Sequence, residues 1–361
     1  MFHVTRNARI SETGLATSIR KRLGELLPPA WSLDEGRSAR VRKGSGLKSA
    51  RLQFRTPDGQ TLEVRLEVKE DLEPRAVRRL AEKLREAAPA IPVVVAPHLS
   101  RRTRELLVEE GIGYADATGN VRIAAERPAL FIHTSGSDRD PDPVERPLRS
   151  LRGPGAGRAV RALCDFRPPY GVRDLAARSG ASAPTLSRVI GLLEREALLE
   201  RGPDRTVARV DVAGCLRRWA ADYSFAKSNR VTTWIAPRGL PVFWAEFTRW
   251  SRQRLGYAAT GSAAVSDLLS VAPARLAQVY VTHAEPIARR LGLRAAEAGA
   301  NVILAEPFDD VVFARVRKRD ELPCVALPQA AVDLLTSPGR GPEEGEELLR
   351  WMTRHEGMWR A

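Results

Sequence analysis

Residues 171–196, which read GVRDLAARSGASAPTLSRVIGLLERE, constrain the fold more than any other part of the sequence. The apolar positions in the second half of this segment are Leu186, Val189, Ile190 and Leu193. Their three- and four-residue spacing predicts a helix with one buried face. A shorter helix is predicted before it, and Gly180 between the two can adopt the positive φ of a tight turn. Ser182 can cap the second helix with its hydroxyl. The segment therefore predicts a helix-turn-helix.

The second helix also has a predicted outward face. Its members are Ala183, Thr185, Ser187 and Arg188, with the capping Ser182 beside them. Serine and threonine make adaptable polar contacts to base edges, and an arginine can bind guanine O6 and N7, so this face suits the DNA major groove. Directly downstream, ALLERGPDRTVARVDV contains two short extended runs around Gly202-Pro203-Asp204. This pattern is typical of a wing, and we expect a winged helix-turn-helix at about 156–212.

Charge supports a nucleic-acid partner for this element. The chain carries 58 Lys and Arg against 44 Asp and Glu, a formal net charge of +14. The local arginines expected to meet DNA phosphates are Arg173, Arg178, Arg201, Arg205 and Arg209. Part of the excess can also reflect codon bias, since arginine greatly outnumbers lysine. Double-stranded DNA is the predicted partner, bound by a homodimer as is usual for such regulators.

The fold class that the sequence predicts is a multidomain α/β protein. Residues 1–134 alternate strand and helix patterns, with a hairpin at the turn Thr56-Pro57-Asp58-Gly59. Residues 135–157 are rich in Pro, Gly, Ser and charge, and are predicted to be a linker. The winged helix-turn-helix domain is assigned to 158–230, and a second α/β domain to 231–361. In that last domain we expect a helix from Trp234 to Arg254 and strands at NVILAE and VVFARV.

Two segments raise the possibility of catalysis. Glu67 and Lys69 form the second half of a PD-(D/E)XK nuclease pattern, in which carboxylates hold a divalent ion and the lysine orients water. The preceding strand, ARLQFR, lacks the metal-binding aspartate, and Asp58 lies in the turn instead. We therefore interpret the domain as similar to the restriction-endonuclease-like fold with a degenerate site, Glu67 and Lys69 being vestigial catalytic candidates.

The second such segment is Gly261-Ser262 followed by Asp267, which resembles the start of a nucleotidyltransferase-like domain. Asp267 has no second carboxylate two residues on, since Leu269 stands there. Two-metal chemistry then has no second ligand, and the simpler interpretation is a turn that packs a helix on a sheet.

Composition limits the remaining function classes. The three cysteines are far apart and never form C-x-x-C, and the five histidines have no ligand spacing, so we predict reduced thiols, no metal and no cofactor. No apolar run is long enough for a membrane span, and the N-terminus lacks the pattern of a secretory signal. A cytoplasmic, non-enzymatic protein is the expectation.

The helix-turn-helix, together with ATGSAAV, LGLRAAEAGANVILAEPFDDVVF and LPQAAVDLLTSPGRGPEEGEELL, resembles the AbiEi family of type IV toxin-antitoxin antitoxins. The resemblance covers about two thirds of the chain. It implies a winged-helix repressor that binds inverted repeats near its own promoter, with a cognate toxin or another protein as a further partner. It carries DNA-contacting roles onto Ser182, Thr185, Ser187, Arg188, Arg201 and Arg205. The mid-chain position of the motif, after an α/β domain, departs from the simplest antitoxins.

The sequence therefore favours a sequence-specific transcriptional regulator, and two alternatives stay open. One is a metal-dependent DNA nuclease that the winged helix targets, with Glu67 and Lys69 catalytic. The other is a protein-interaction or defence scaffold whose winged helix binds protein instead of DNA.

Overall fold

A computed structural model describes residues 12–35, 49–85, 90–141, 150–251, 256–269 and 274–361. The chain is a mixed α/β protein with several sheets. It separates into two compact units, the first formed by residues 1–145 with 195–197, the second by 146–194 and 198–361. Part of the predicted linker, residues 142–149, lies outside the described residues.

In the described residues, the first unit contains seven strands and three α-helices. The helices are α1 (Glu12–Leu26), α2 (Val77–Arg85) and α3 (Arg101–Glu109), with a 3-10 turn at Pro74–Ala76 before α2. The strands are β1 (Ser32–Glu35), β2 (Ser49–Arg55), β3 (Thr61–Val68), β4 (Ile91–Ala96), β5 (Gly113–Asp116), β6 (Val121–Glu126) and β7 (Ala129–Thr134).

These seven strands form one sheet in the order β1-β2-β3-β4-β5-β6-β7. β3, β4 and β5 are parallel to one another, and the outer strands pair antiparallel. One face packs under α1, where Leu15, Ile19 and Leu23 are buried, and the other packs under α2 and α3. A sheet covered on both faces explains why IPVVVA in β4 is apolar without alternation.

The second unit begins with helical elements and a short hairpin. The helices up to the second sheet are α4 (Pro154–Asp165), α5 (Val172–Ser179), α6 (Ala183–Arg195), α7 (Val212–Ala220) and α8 (Phe225–Ser228). The hairpin strands are β8 (Leu199–Arg201) and β9 (Val207–Val210). Helix α4 begins at Pro154, so the last residues of the predicted linker are helical.

The rest of the second unit is again α/β. Its strands are β10 (Arg230–Ile235), β11 (Tyr257–Thr260), β12 (Ala277–Val281), β13 (Arg294–Ala295), β14 (Val302–Glu306), β15 (Arg317–Arg319) and β16 (Leu322–Cys324). Its helices are α9 (Leu240–Ser251), α10 (Gly261–Val265), α11 (Ala284–Arg290), α12 (Leu327–Leu335), α13 (Gly341–Arg354) and α14 (Glu356–Trp359), with a 3-10 helix at Asp310–Phe313.

Strands β10 to β16 form one sheet in the order β13-β10-β14-β12-β11-β16-β15, separate from the hairpin β8–β9. Its buried side chains belong to the same hydrophobic cluster as those of α4, α5 and α6. The hairpin and the helices before it therefore rest on the same core as the second sheet.

Two predicted elements of this unit are wrong. The helix predicted from Trp234 begins only at Leu240, because β-branched residues from Val231 to Ile235 form the strand β10. The strand predicted at VVFARV is instead the 3-10 helix, whose first turn Asp309 caps by accepting a hydrogen bond from Val311 N at 2.9 Å. Among the described residues, no helix has both the length and the apolar character that crossing a bilayer requires.

Candidate nucleic-acid interface

A tight turn joins helices α5 and α6. Gly180 follows the end of α5 with φ of +67°, in the left-handed region that disfavours a side chain by about 1–2 kcal/mol. At the start of α6, Ser182 Oγ accepts a hydrogen bond from Thr185 N at 3.3 Å. The predicted turn glycine and capping serine are both confirmed.

One face of α6 is buried in the core of the second unit. Its fully buried members are Leu186, Val189, Ile190 and Leu193. Burial of such a side chain stabilises the fold by about 1.5–3 kcal/mol, so four of them fix the rotation of the helix about its axis. The predicted buried face is confirmed, and the residues between these positions are held toward solvent.

Ser187 and Arg188 are exposed on the other side of α6. Arg188 Nε donates to Pro184 O at 3.3 Å within the helix, which uses one of the five guanidinium donors. Ser182 is also exposed, and its hydroxyl donates to Thr185 Oγ1 at 2.8 Å. Ser182, Ser187 and Arg188 are therefore the exposed polar side chains of the predicted recognition face.

Ala183 and Thr185 are only half exposed, in contrast to the fully outward face that the sequence predicts. Thr185 lies against α4: a Cβ added at Gly155 would be 3.3 Å from Thr185 Cγ2. The methyl group of Thr185 packs close to α4, and its hydroxyl accepts a hydrogen bond from the capping residue Ser182. Thr185 consequently has a local structural role whatever else it contacts.

The hairpin β8–β9 follows α6 and is closed by a tight tip. Gly202 N donates to Thr206 O at 2.9 Å, and Arg205 N donates to Gly202 O at 3.0 Å. Tyr170, in the loop between α4 and α5, pairs with Val207 through two backbone hydrogen bonds of 3.3 and 3.0 Å. This isolated β-bridge ties the hairpin to the loop before α5. The two predicted extended runs are confirmed.

The predicted basic residues of the hairpin differ in whether they lie close to a glutamate carboxylate. Arg201 lies with Nε 3.2 Å from Glu194 Oε2, and Arg209 with Nη1 3.7 Å from Glu200 Oε1. Arg205 is exposed at the tip with φ of +66°. Arg205 is thus the hairpin arginine that is best placed to reach an external anion.

Asp204, beside Arg205, carries the opposite charge. Thr206 donates to its Oδ1 through both Oγ1, at 2.7 Å, and the backbone N, at 3.1 Å. These two hydrogen bonds hold the pKa of the Asp204 carboxyl below its usual value. The carboxylate therefore stays ionised and offsets part of the positive charge of the tip.

Helix α5 presents the remaining predicted arginines. Arg173 is exposed in the first turn of the helix. Arg178 Nε donates to Asp174 Oδ1 at 3.1 Å, and its guanidinium lies 5.7 Å from the centroid of the Phe166 ring. The structure brings the ten predicted DNA-contacting residues onto α5, α6 with its capping residue, and the hairpin, all elements of one unit.

Sequence reasoning missed Arg161, which anchors helix α4 beneath α5 and α6. Its guanidinium is buried and donates to Asp165 Oδ2 at 2.9 Å, Val311 O at 3.0 Å and Ala314 O at 3.0 Å. Gln329 Oε1 accepts a fourth bond at 3.2 Å. The spacing of Arg161 and Asp165 in RAVRALCD was the available signal, because an arginine amid alanines and a carboxylate four residues on can form a buried pair.

Glu67 and Lys69 lie at the carboxyl end of β3. Lys69 Nζ is 2.9 Å from Glu67 Oε1, and the glutamate side chain is only 1% exposed. Glu67 Oε2 is buried and makes no hydrogen bond to the described residues. In the β2–β3 register, Ser49 stands opposite Glu67.

These residues do not fit a divalent metal site of the kind that a nuclease-like domain implies. Ser49 supplies no carboxylate where the facing strand passes Glu67. Asp116, at the end of β5, accepts from Leu99 N, Thr118 N and Asn120 N, so its oxygens organise the local loops. Asp58 lies beyond the other end of β3, roughly 20 Å along the strand. The described residues include no group of three or more His, Cys, Asp or Glu that could hold a metal ion.

The Gly261-Ser262 segment is occupied by internal contacts. Gly261 has φ of +64° and begins helix α10, and an added Cβ would lie 2.2 Å from Gln278 Oε1. Ser262 Oγ donates to Glu344 Oε2 of helix α13, and Asp267 pairs with Arg317 at 3.0 Å. The segment is a turn that packs a helix on a sheet, which agrees with the simpler of the two interpretations made from the sequence.

No family model and no curated protein matches the chain. Among solved structures, that of EndoMS in its apo form is 27% identical to the aligned part, which covers 31% of this chain and 48% of that one, with a TM-score of 0.20. The chain therefore spans about half the length of the EndoMS chain that it matches.

Proposed function

We propose that the chain is a sequence-specific double-stranded DNA-binding regulator, whose reader is a winged helix-turn-helix formed by α4–α6 and the hairpin β8–β9. One observation carries the proposal: the fully buried face of α6 directs Ser187 and Arg188 into solvent, next in sequence to a hairpin that ends in the exposed Arg205. An α-helix of this kind fits the major groove, and a basic hairpin can follow the backbone beside it.

In this proposal the two arginines have different roles. Arg188, on the helix, reads guanine through its paired donors, whereas Arg205, at the tip, meets a phosphate. A base contact discriminates between sequences by about 1–3 kcal/mol, and a phosphate contact strengthens all duplexes alike. The resemblance to AbiEi antitoxins leads us to propose autoregulation, with inverted repeats near the chain's own promoter as the site and a homodimer as the bound form.

The experiment that tests the proposal starts from selection of preferred duplexes from a random pool by the full chain. Binding of the selected duplex and of a scrambled one is then measured by fluorescence anisotropy for Arg188→Ala and Arg205→Ala. We expect Arg188→Ala to lose roughly tenfold to a hundredfold in preference. Arg205→Ala should weaken both duplexes equally and lower the salt slope by about 1.

The matched control is Arg290→Ala, an exposed arginine of helix α11 in the same unit. It removes the same charge and should leave both affinities within about twofold, since the fall in net charge alone is screened within a Debye length of about 8–10 Å. Equal losses for Arg188→Ala and Arg205→Ala on both duplexes would contradict the division of roles. A loss for Arg290→Ala as large as theirs would show that only overall charge matters.

A nuclease is the second candidate function, and the buried, unpartnered Glu67 Oε2 beside Lys69 favours it. The Ser49 register argues against it, because a second carboxylate is absent from the facing strand position. Incubation of plasmid DNA with the chain and Mg²⁺ or Mn²⁺, compared with Glu67→Gln, separates the two. Nicking that Glu67→Gln abolishes would establish the nuclease, and intact DNA with both proteins supports a regulator with a degenerate nuclease-like domain.

A protein-interaction or defence scaffold is the third candidate, with a cognate toxin as the type of partner that the family resemblance suggests. We propose for the C-terminal part a nucleotidyltransferase-like fold without activity, since Ser262 and Asp267 are paired internally. Failure of the chain to bind any duplex at low salt would favour the scaffold.

A further inference from the structure

A cleft of about 600 Å³ lies in the second unit between strand β9 and the helices α13 and α14. Ligand-binding clefts typically measure roughly 300–1,000 Å³. Its wall includes the apolar side chains of Val210, Leu349, Met352 and Trp359. The Trp359 indole is held in place because Nε1 donates to Met352 O at 2.9 Å. The cleft therefore has a fixed apolar lining.

The acidic side chains of the cleft are already engaged. Asp211 caps helix α7, where its Oδ1 accepts from Gly214 N at 2.9 Å. Glu356 Oε1 pairs with Arg360, whose other donors bond to Phe166 O and Leu163 O at 2.9 Å each. Asp211 is thus held by the helix N-terminus that it caps, and the charges of Glu356 and Arg360 are paired with each other.

Two lining arginines are less committed. Arg167 is exposed, and its Nη2 donates to the backbone oxygen of Glu356 at 3.1 Å. Arg209 is 70% exposed, and its ion pair with Glu200 has an Nη1–Oε1 distance of 3.7 Å, longer than a hydrogen bond. Neither guanidinium donates a hydrogen bond to a carboxylate among the described residues. An apolar wall with two such cations is complementary to an anion that has an apolar body.

We propose that this cleft binds a small amphipathic carboxylate, with an aromatic or branched body against Trp359 and Met352 and its carboxylate on Arg167 and Arg209. A carboxylate suits the site because guanidinium groups bind it through paired, charge-assisted hydrogen bonds. A neutral molecule of the same shape would lose those bonds. A dianion such as a phosphate ester would lose the apolar part of the site unless it carried a similar body.

A ligand in the cleft should also affect DNA binding, and this part of the inference rests on the proposed function. Arg209 lies on β9 of the hairpin and is one of the predicted phosphate contacts. A ligand carboxylate that engages Arg209 removes it from the DNA backbone, so the ligand and DNA compete. The ligand is then an effector that releases the chain from DNA, and by linkage DNA lowers the affinity for the ligand by the same factor.

Calorimetry on the full chain tests the cleft without DNA. The probes are 2-naphthoate and 2-propylpentanoate, with the neutral 2-naphthalenemethanol as the isosteric comparison. We expect both carboxylates to bind, and the alcohol and the Arg167→Gln variant each to bind roughly tenfold more weakly, the effect of losing a charged hydrogen-bond pair. Arg290→Gln, which removes an exposed arginine that does not line the cleft, should bind like the unaltered chain.

Equal binding of the alcohol, or absence of carboxylate binding up to the low-millimolar range, would overturn the cleft proposal. Anisotropy with selected duplex then tests the coupling: 2-naphthoate should weaken DNA binding of the unaltered chain, and roughly tenfold more of it should be needed for the same effect on Arg167→Gln. Carboxylate binding by a chain that binds no duplex would leave the cleft standing and remove the proposed function. Carboxylate binding without any change in DNA affinity would overturn the coupling alone.

Discussion

The buried ion pair of Arg161 and Asp165 gives the most demanding test of how helix α4 is held beneath the candidate interface. Replacement of Arg161 by Met keeps much of the side-chain volume and removes the charge. It leaves the Asp165 carboxylate, 6% exposed, without its partner, and it removes one hydrogen-bond donor each from the oxygens of Val311, Ala314 and Gln329. Loss of one partner of a buried pair destabilises a protein by about 3–5 kcal/mol, which sets the expected cost.

Urea unfolding followed by circular dichroism measures this cost as the difference in the free energy of unfolding between the unaltered chain and Arg161→Met.

Two further variants make the result specific. Arg178→Met breaks the Arg178–Asp174 pair, which has the same four-residue spacing but is half exposed on both sides, and should cost less than about 1 kcal/mol. Arg161→Met with Asp165→Leu removes both charges and should be more stable than Arg161→Met alone. A cost for Arg161→Met as small as that of Arg178→Met would refute the reasoning.

Three other predictions concern the same unit. Gly180→Ala should lower the free energy of unfolding by about 1–2 kcal/mol, measured in urea, because Gly180 has φ of +67°; a neutral effect would mean that the turn relaxes. Ser182→Ala should cost about 0.5–2 kcal/mol through loss of the cap on α6, and Ser182→Asp, which can also cap, should recover most of it. Burial raises the pKa of Asp333 to about 6 although Thr260, Tyr223, Gln329 and Tyr280 all donate to it. Because this folded value exceeds the unfolded one, Asp333 should cost about 3 kcal/mol of stability as pH rises from about 4 to above 6. Asp333→Asn should remove that dependence, and an unchanged difference between pH 4.5 and pH 7 would contradict it.

Local chemistry made the turn and the buried face of α6 predictable from the sequence. Gly180, Ser182 and the apolar spacing from Leu186 to Leu193 each act within one or two helical turns, so their roles do not depend on distant contacts. The same holds for Asp58, which the structure places in the turn, where it accepts from Gln60 Nε2 at 2.8 Å.

The features that could not be predicted depend on partners far away in sequence. Arg161 is held by oxygens about 150 residues downstream, and no local pattern reveals that they meet. The half-burial of Thr185 follows from the approach of α4 at Gly155. Asp309, which caps the 3-10 helix at the predicted strand, also accepts a hydrogen bond from Arg158 Nε, about 150 residues upstream, at 2.8 Å.

The account rests on DNA binding by the helix-turn-helix, and a salt titration of the unaltered chain tests it most directly. Anisotropy would measure the affinity for the duplex recovered by selection and for a scrambled duplex between about 50 and 300 mM salt. Mg²⁺ would be present, and the DNA would be checked for nicks afterwards. The account predicts tight binding to intact DNA, a steep loss of affinity with salt, and a preference for the selected duplex of roughly a thousandfold or more. Absence of binding at the lowest salt, or equal affinity for both duplexes, would contradict it.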